Sequence, residues 1–134
     1  MKLTMLLADA AQVSEGKLYI LGGGWSMTGP AEVPSAIAIK IEVPWDQANR
    51  QHHFQIELFD SDGQAVKMGS EAVRIQGQFE TGRPAGLAPG TPLDVPLAIS
   101  IGPLGLAPGR YAWRCSVDGL SQEDWEIYFT KRAS

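Results

Sequence analysis

His52 and His53 stand near Asp46, Asp60 and Asp62 in the chain, and nitrogen and oxygen donors of these types could together hold a divalent cation. Adjacency works against the two histidines, because successive side chains on a strand point to opposite faces and could share one ion only from a loop. Asp60-Ser61-Asp62-Gly63 opens like a calcium-binding loop, and counting from Asp60 places Glu71 at the twelfth position. The sixth position, where such a loop turns on glycine, is Ala65, and no helical pattern flanks the segment. The expectation is a hairpin turn and no metal.

Nucleophiles are equally sparse. Cys115 is the only cysteine, so no intrachain disulfide can form, and its place in an apolar row reads as a small buried hydrophobe. No serine sits in a Gly-x-Ser-x-Gly elbow. Gly22-Gly23-Gly24 is followed by Trp25-Ser26-Met27, which is no helix start, so the glycines do not form a phosphate cradle and no cofactor is expected. They fit a β-bulge or a close backbone crossing instead. The acidic pairs Glu123-Asp124 and Asp60/Asp62 read as solvated turn charges. Two of the four tryptophans, Trp25 and Trp45, fall in loops beside Gly or Pro, where an indole can stack on a sugar or anchor a protein.

These side chains must be positioned by strands. Pro108-Gly109 runs into a strict alternation in which Tyr111, Trp113, Cys115 and Val117 share one face and Ala112, Arg114, Ser116 and Asp118 the other. A leucine, Pro-Gly and a tyrosine opening a strand resemble the tyrosine corner of immunoglobulin-like domains, in which the phenol bonds backbone a few residues upstream. Ile37, Ile39, Ile41 and Val43 form a second row, Phe54, Ile56 and Leu58 a third, and Leu93 to Ile101 a fourth, with Pro96 marking an edge. Trp125 to Thr130 alternates again and should pair with the strand before it. The segment Asp9 to Gly16 reads as a loop, and Thr81 to Thr91 as a Gly/Pro-rich connection. Gly-Leu-Ala-Pro-Gly occurs at 86–90 and 105–109, which is reused turn chemistry and no repeat architecture. The sum is an all-β chain: an antiparallel two-sheet β-sandwich, immunoglobulin-like, of eight or nine short strands.

One domain over residues 1–134 suits the length. Eleven basic against fifteen acidic residues, without long like-charge runs, argue against nucleic acid and against a polybasic membrane contact. The apolar start, Met1 to Ala10, is too short for a signal peptide and no stretch reaches the ~18 residues of a membrane span. A cytoplasmic location is expected.

Ala8-Asp9-Ala10-Ala11, then Gly16-Lys17-Leu18, Ile20-Leu21-Gly22 and a strand series ending in Pro-Gly-x-Tyr together resemble a family of short uncharacterised bacterial proteins. The resemblance spans essentially the whole chain and implies a single β-sandwich and a bacterial source. It implies no activity and no catalytic residue. Gly23-Gly24-Trp25 stands where that family usually carries an aromatic or bulky residue after Ile-Leu-Gly.

The functional expectation is a non-catalytic interaction or structural module whose partner is a protein, foremost a second copy. Both faces of the first strands are apolar, and charged residues make up only 19% of the chain, below the usual ~25%. Leu6, Tyr19 and Leu21 are therefore the candidate interface. A carbohydrate-binding or small-ligand sandwich using Trp25 and Trp45 ranks second. A small hydrolase with a site that no motif reveals ranks third.

Overall fold

The computed structural model describes residues Met1–Ser134. Twelve strands follow in chain order: β1 (Lys2–Ala8), β2 (Ala10–Ser14), β3 (Lys17–Leu21), β4 (Met27–Thr28), β5 (Ser35–Val43), β6 (His52–Asp60), β7 (Lys67–Met68), β8 (Glu71–Ala72), β9 (Arg74–Phe79), β10 (Leu93–Ile101), β11 (Gly109–Val117) and β12 (Glu126–Lys131). A single 3-10 turn, Trp45–Gln47, breaks the all-β pattern. No helix is long and apolar enough to cross a membrane.

A three-stranded sheet has the order β1-β5-β10 and a five-stranded sheet the order β4-β12-β11-β6-β9. Pairing is antiparallel throughout except between β12 and the two-residue β4, and neither sheet closes into a barrel. As the alternation predicts, β12 pairs with β11, and the Pro96 strand, β10, lies at an edge with β5 its only partner. The inward rows of both sheets meet in one core: Leu3, Leu7, Ile37, Ile39 and Ile41 from one, Ile56, Leu58, Trp113, Cys115 and Phe129 from the other. The corner bond is present, Tyr111 Oη–H donating to Ala107 O at 2.6 Å.

The eight residues Asp9 to Gly16, read as a loop, instead contain strand β2, which forms a hairpin with β3. Glu15 and Gly16 both take positive φ, 52° and 72°, the backbone of the tight turns whose twist matches paired strands. The alternation in β2 is faint because Ala10, Ala11 and Gln12 offer little contrast between its faces. This hairpin packs on β5 and β10. On β5 it finds Ala36 and Ala38, placed by alternation on the face opposite Ile37 and Ile39, yet both are buried, as is Ala8 beside Ala36 in the β1 register. Alanines bring no bulk to that face, so a second layer can approach it closely.

The three glycines mark a close crossing. The Asp9 amide donates to both Leu21 O and Gly22 O, and Gly24 N–H donates to Leu7 O at 2.7 Å. Gly22 has φ +61°, with the Asp9 side chain occupying the space a Cβ would need. On the other sheet Ala112, also on the face expected to be wet, is buried between the registers of Phe59 and Tyr128. Arg114 lies across the Phe59 ring at 4.5 Å, and Arg110 across Tyr128 at 4.7 Å. These aliphatic stems and rings dry the small residue beneath them.

Candidate functional site

Leu6, Tyr19 and Leu21 all reach solvent, at 40%, 50% and 70% exposure. Leu6 lies on the outer face of β1, opposite Ala38 in register. In the hairpin, Ala11 and Leu18 are half-buried, whereas Ala10, Gln12, Tyr19 and Leu21 on the other face are exposed. Val13 and Ile20 are also exposed, and Ile20 comes close to Ala8 across Gly23. Five large uncharged side chains between residues 6 and 21 are thus left partly in water by the layer that covers Ala36 and Ala38.

Trp25 and Trp45 are both half-buried and stand at opposite ends of the three-stranded sheet. Trp25 lines a cavity with Leu7 and Ser35, while Trp45 borders a groove with Met1, Lys2 and Glu42. Because Lys2 and Leu7 lie toward opposite ends of β1, the indoles do not form one stacking platform. Arg83 covers Trp45 at 4.9 Å and donates from Nε and Nη2 to its carbonyl, at 3.1 and 2.7 Å. Trp25 meets Phe129 edge-on, ring centroids 6.3 Å apart.

The cavity beside Trp25 has a volume of about 50 Å³ and is walled largely by apolar side chains, among them Leu7, Leu104, Trp113 and Phe129. Five side chains on its lining can donate hydrogen bonds, Trp25, Thr28, Ser35, Trp113 and Lys131, and the two hydroxyls among them can also accept. The Trp25 indole N–H is buried without a partner. Lys131 is only 6% exposed and belongs to none of the ion pairs or side-chain hydrogen bonds. Reading the sequence for chemistry passes over Lys131. The available signal is its period-two spacing from Trp125, Ile127 and Phe129, which sends it inward with them.

His52 is buried and His53 exposed, as opposite strand faces require. His52 Nδ1 lies 2.7 Å from Asp118 Oδ2 and Nε2 lies 2.8 Å from Gln47 O, with the ring stacked on Phe79 at 5.2 Å. Both ring nitrogens are thus engaged, one by a carboxylate and the other by a backbone carbonyl. Asp118 also accepts from the His53 amide at 2.9 Å. Its carboxyl is held below the ordinary carboxylate range, chiefly by the His52 bond and next by the His53 amide. Ser121 borders the same groove as His52 and Asp118, but its hydroxyl donates to Cys115 O at 2.7 Å. The group is therefore a clasp joining β6, the 3-10 turn and the end of β11.

Asp60 caps its own turn, accepting from the amides of Asp62 and Gln64 at 2.9 and 3.0 Å, which is the hairpin chemistry expected there. Cys115 is buried, and desolvation pushes its thiol up to about 12, far from the thiolate that nucleophilic chemistry needs. Arg114 Nε sits 3.1 Å from Glu126 Oε1. The pair is electrostatic, its angle too poor for a hydrogen bond.

No curated protein sequence matches the chain. A family profile described as "Family of unknown function (DUF6941)" matches residues 3–130, in keeping with the likeness to an uncharacterised family carried by the Ala-Asp-Ala-Ala and Ile-Leu-Gly segments. With the match running from the second residue of β1 to the penultimate residue of β12, the chain belongs to the DUF6941 family of unknown function.

Proposed function

We propose that this protein is a non-catalytic interaction module, an immunoglobulin-like two-sheet sandwich that associates with a second copy of itself through its N-terminal hairpin. The observation that carries the reading is the exposure of Leu6, Tyr19 and Leu21 on the layer formed by β1 and the β2–β3 hairpin. Val13 and Ile20, on the opposite face of the hairpin, also reach solvent. Large apolar side chains grouped on one exposed face are uncommon on monomers, and this face, with Tyr19 and Leu21 beyond Lys17 at its turn end, is matched by another apolar patch. A second copy supplies one, and a twofold arrangement uses the same surface twice. The sandwich reading is supported by the shared core of the two sheets and by the Tyr111–Ala107 bond. Light scattering at micromolar concentration tests the association. A mass at least twice that of the chain is expected, and a monomer at every accessible concentration overturns the reading.

A further inference from the structure

The two main sheets end on four edges, and three of these are blunted. β10 is interrupted by Pro96, β4 is two residues long, and at the β1 edge Gly24 N–H donates to Leu7 O at 2.7 Å. β9 closes the five-stranded sheet as a six-residue strand without proline, Arg74-Ile75-Gln76-Gly77-Gln78-Phe79. In an antiparallel ladder, alternate residues turn both N–H and C=O toward the same neighbour. His53 O accepts from the Asp118 amide on the β11 side, whereas Leu58 N–H donates to Val73 O on the β9 side. Phe54 and Ile56 therefore bond toward β9, and their register partners Gly77 and Ile75 bond back. The backbone groups of Arg74, Gln76 and Gln78 point away from the sheet, and no turn or loop bond uses them. Beyond them Thr81 O is taken by Asn49 N–H, so by the same alternation Glu80 continues the open row. Such a row is a template for another strand.

We propose that β9 pairs antiparallel with β9 of a second copy, across a twofold axis at Gly77. Matching outer residues to outer residues restricts the register, and centring it on Gly77 also matches the chemistry. Arg74 then stands opposite Glu80 of the second copy, and Glu80 opposite its Arg74, two opposite-charge pairs. Gln76 meets Gln78 in the bonded positions, and the half-buried Ile75 meets Phe79 on the core side. Gly77 meets Gly77 at the close, non-bonded position, and it can carry no side chain there because the Phe54 ring lies 2.6 Å from where a Cβ would stand. Both charges are available: Glu80 is exposed and in no ion pair, and Arg74 nears Glu57 at 3.7 Å while remaining exposed. One strand pair of this length buries less than the ~1,200 Å² of a standard interface, so the contact forms toward millimolar concentration and is weaker than the hairpin patch. It is separate from that patch, which lies over β5 and β10 of the other sheet, and copies using both twofold contacts line up in rows.

Amide exchange of the full chain, measured from micromolar to millimolar concentration, tests the pairing. The Gln76 and Gln78 amides, open to water in the single chain, should exchange at least about fivefold more slowly at the top of that range. Those of Ile75 and Gly77, already bonded to β6, should not change. Gln76→Pro removes an N–H that points off the sheet, so the fold should stand and the slowing at Gln78 should vanish. Should that variant not fold, Glu80→Arg at its exposed position sets like charges opposite each other twice, and pairing should need about tenfold more protein. The slowing should persist in Leu21→Asp, which disables the hairpin patch, so either contact can fail without the other. Gln76 and Gln78 amides that exchange at one rate across the whole range overturn the pairing. So does a Glu80→Arg protein that matches the wild type, or a slowing that is lost in Leu21→Asp.

Discussion

Trp113 and Arg114 are neighbours in the chain with opposite fates, one sealed in the core and the other spread over the Phe59 ring. Trp113→Ala should cost about 3–5 kcal/mol, since removing a large ring leaves a cavity as well as lost transfer energy. Arg114→Ala should cost well under half of that, because its ion pair is partly exposed and worth little. A urea titration giving equal losses would contradict the assigned facing. Tyr111→Phe isolates the corner bond, whose removal should cost about 1 kcal/mol. Asp118 contributes at acid pH. Its folded-state carboxyl is depressed below the unfolded value by His52 and the His53 amide, so its contribution is fully present above the unfolded carboxylate range, about pH 4, and fades as pH falls through the lower folded value. Asp118→Asn should therefore be less stable than the wild type at neutral pH, with the gap closing in acid titrations followed by denaturant.

At the level of elements, β5 is enclosed on both faces, by the isoleucine row toward the core and by the β2–β3 hairpin over Ala36 and Ala38. The hairpin is seated there because nothing on that face is larger than a methyl group at those positions. Ala36→Leu should push the hairpin away and cost about 1–3 kcal/mol, the usual range for overpacking. Amide exchange distinguishes this from general loosening: the β2 and β3 amides should lose protection while those of β6 and β11 keep theirs. Uniform loss across both sheets would mean that the hairpin is not a separable layer.

On the scale of the whole molecule, the hairpin that covers β5 presents Tyr19 and Leu21 outward, so covering one apolar face exposes another. Tyr19→Asp and Leu21→Asp should each yield a folded monomer, with the mass read by light scattering and the fold by near-ultraviolet circular dichroism. Both positions are at least half exposed, so a charge there needs no desolvation in the monomer. An Asp variant that unfolds would place these residues in the intramolecular core instead.

Period-two rows at Ile37 to Val43, Phe54 to Leu58 and Tyr111 to Val117 determined the strands and which of their faces turn inward, because a strand has only two faces and a one-residue slip exchanges them. The tyrosine corner was equally legible, since Tyr111 and its acceptor Ala107 are four residues apart. Alternation is silent on what lies over the outer face. Ala36, Ala38 and Ala112 look like solvent-side residues until the hairpin, or Phe59, Arg110 and Tyr128, is brought over them. The same holds for polar partners. His52 meets Asp118 across 66 residues of chain, because a buried polar group is satisfied by whatever the packed layers bring within a few ångströms, and that distance is decided by tertiary structure alone.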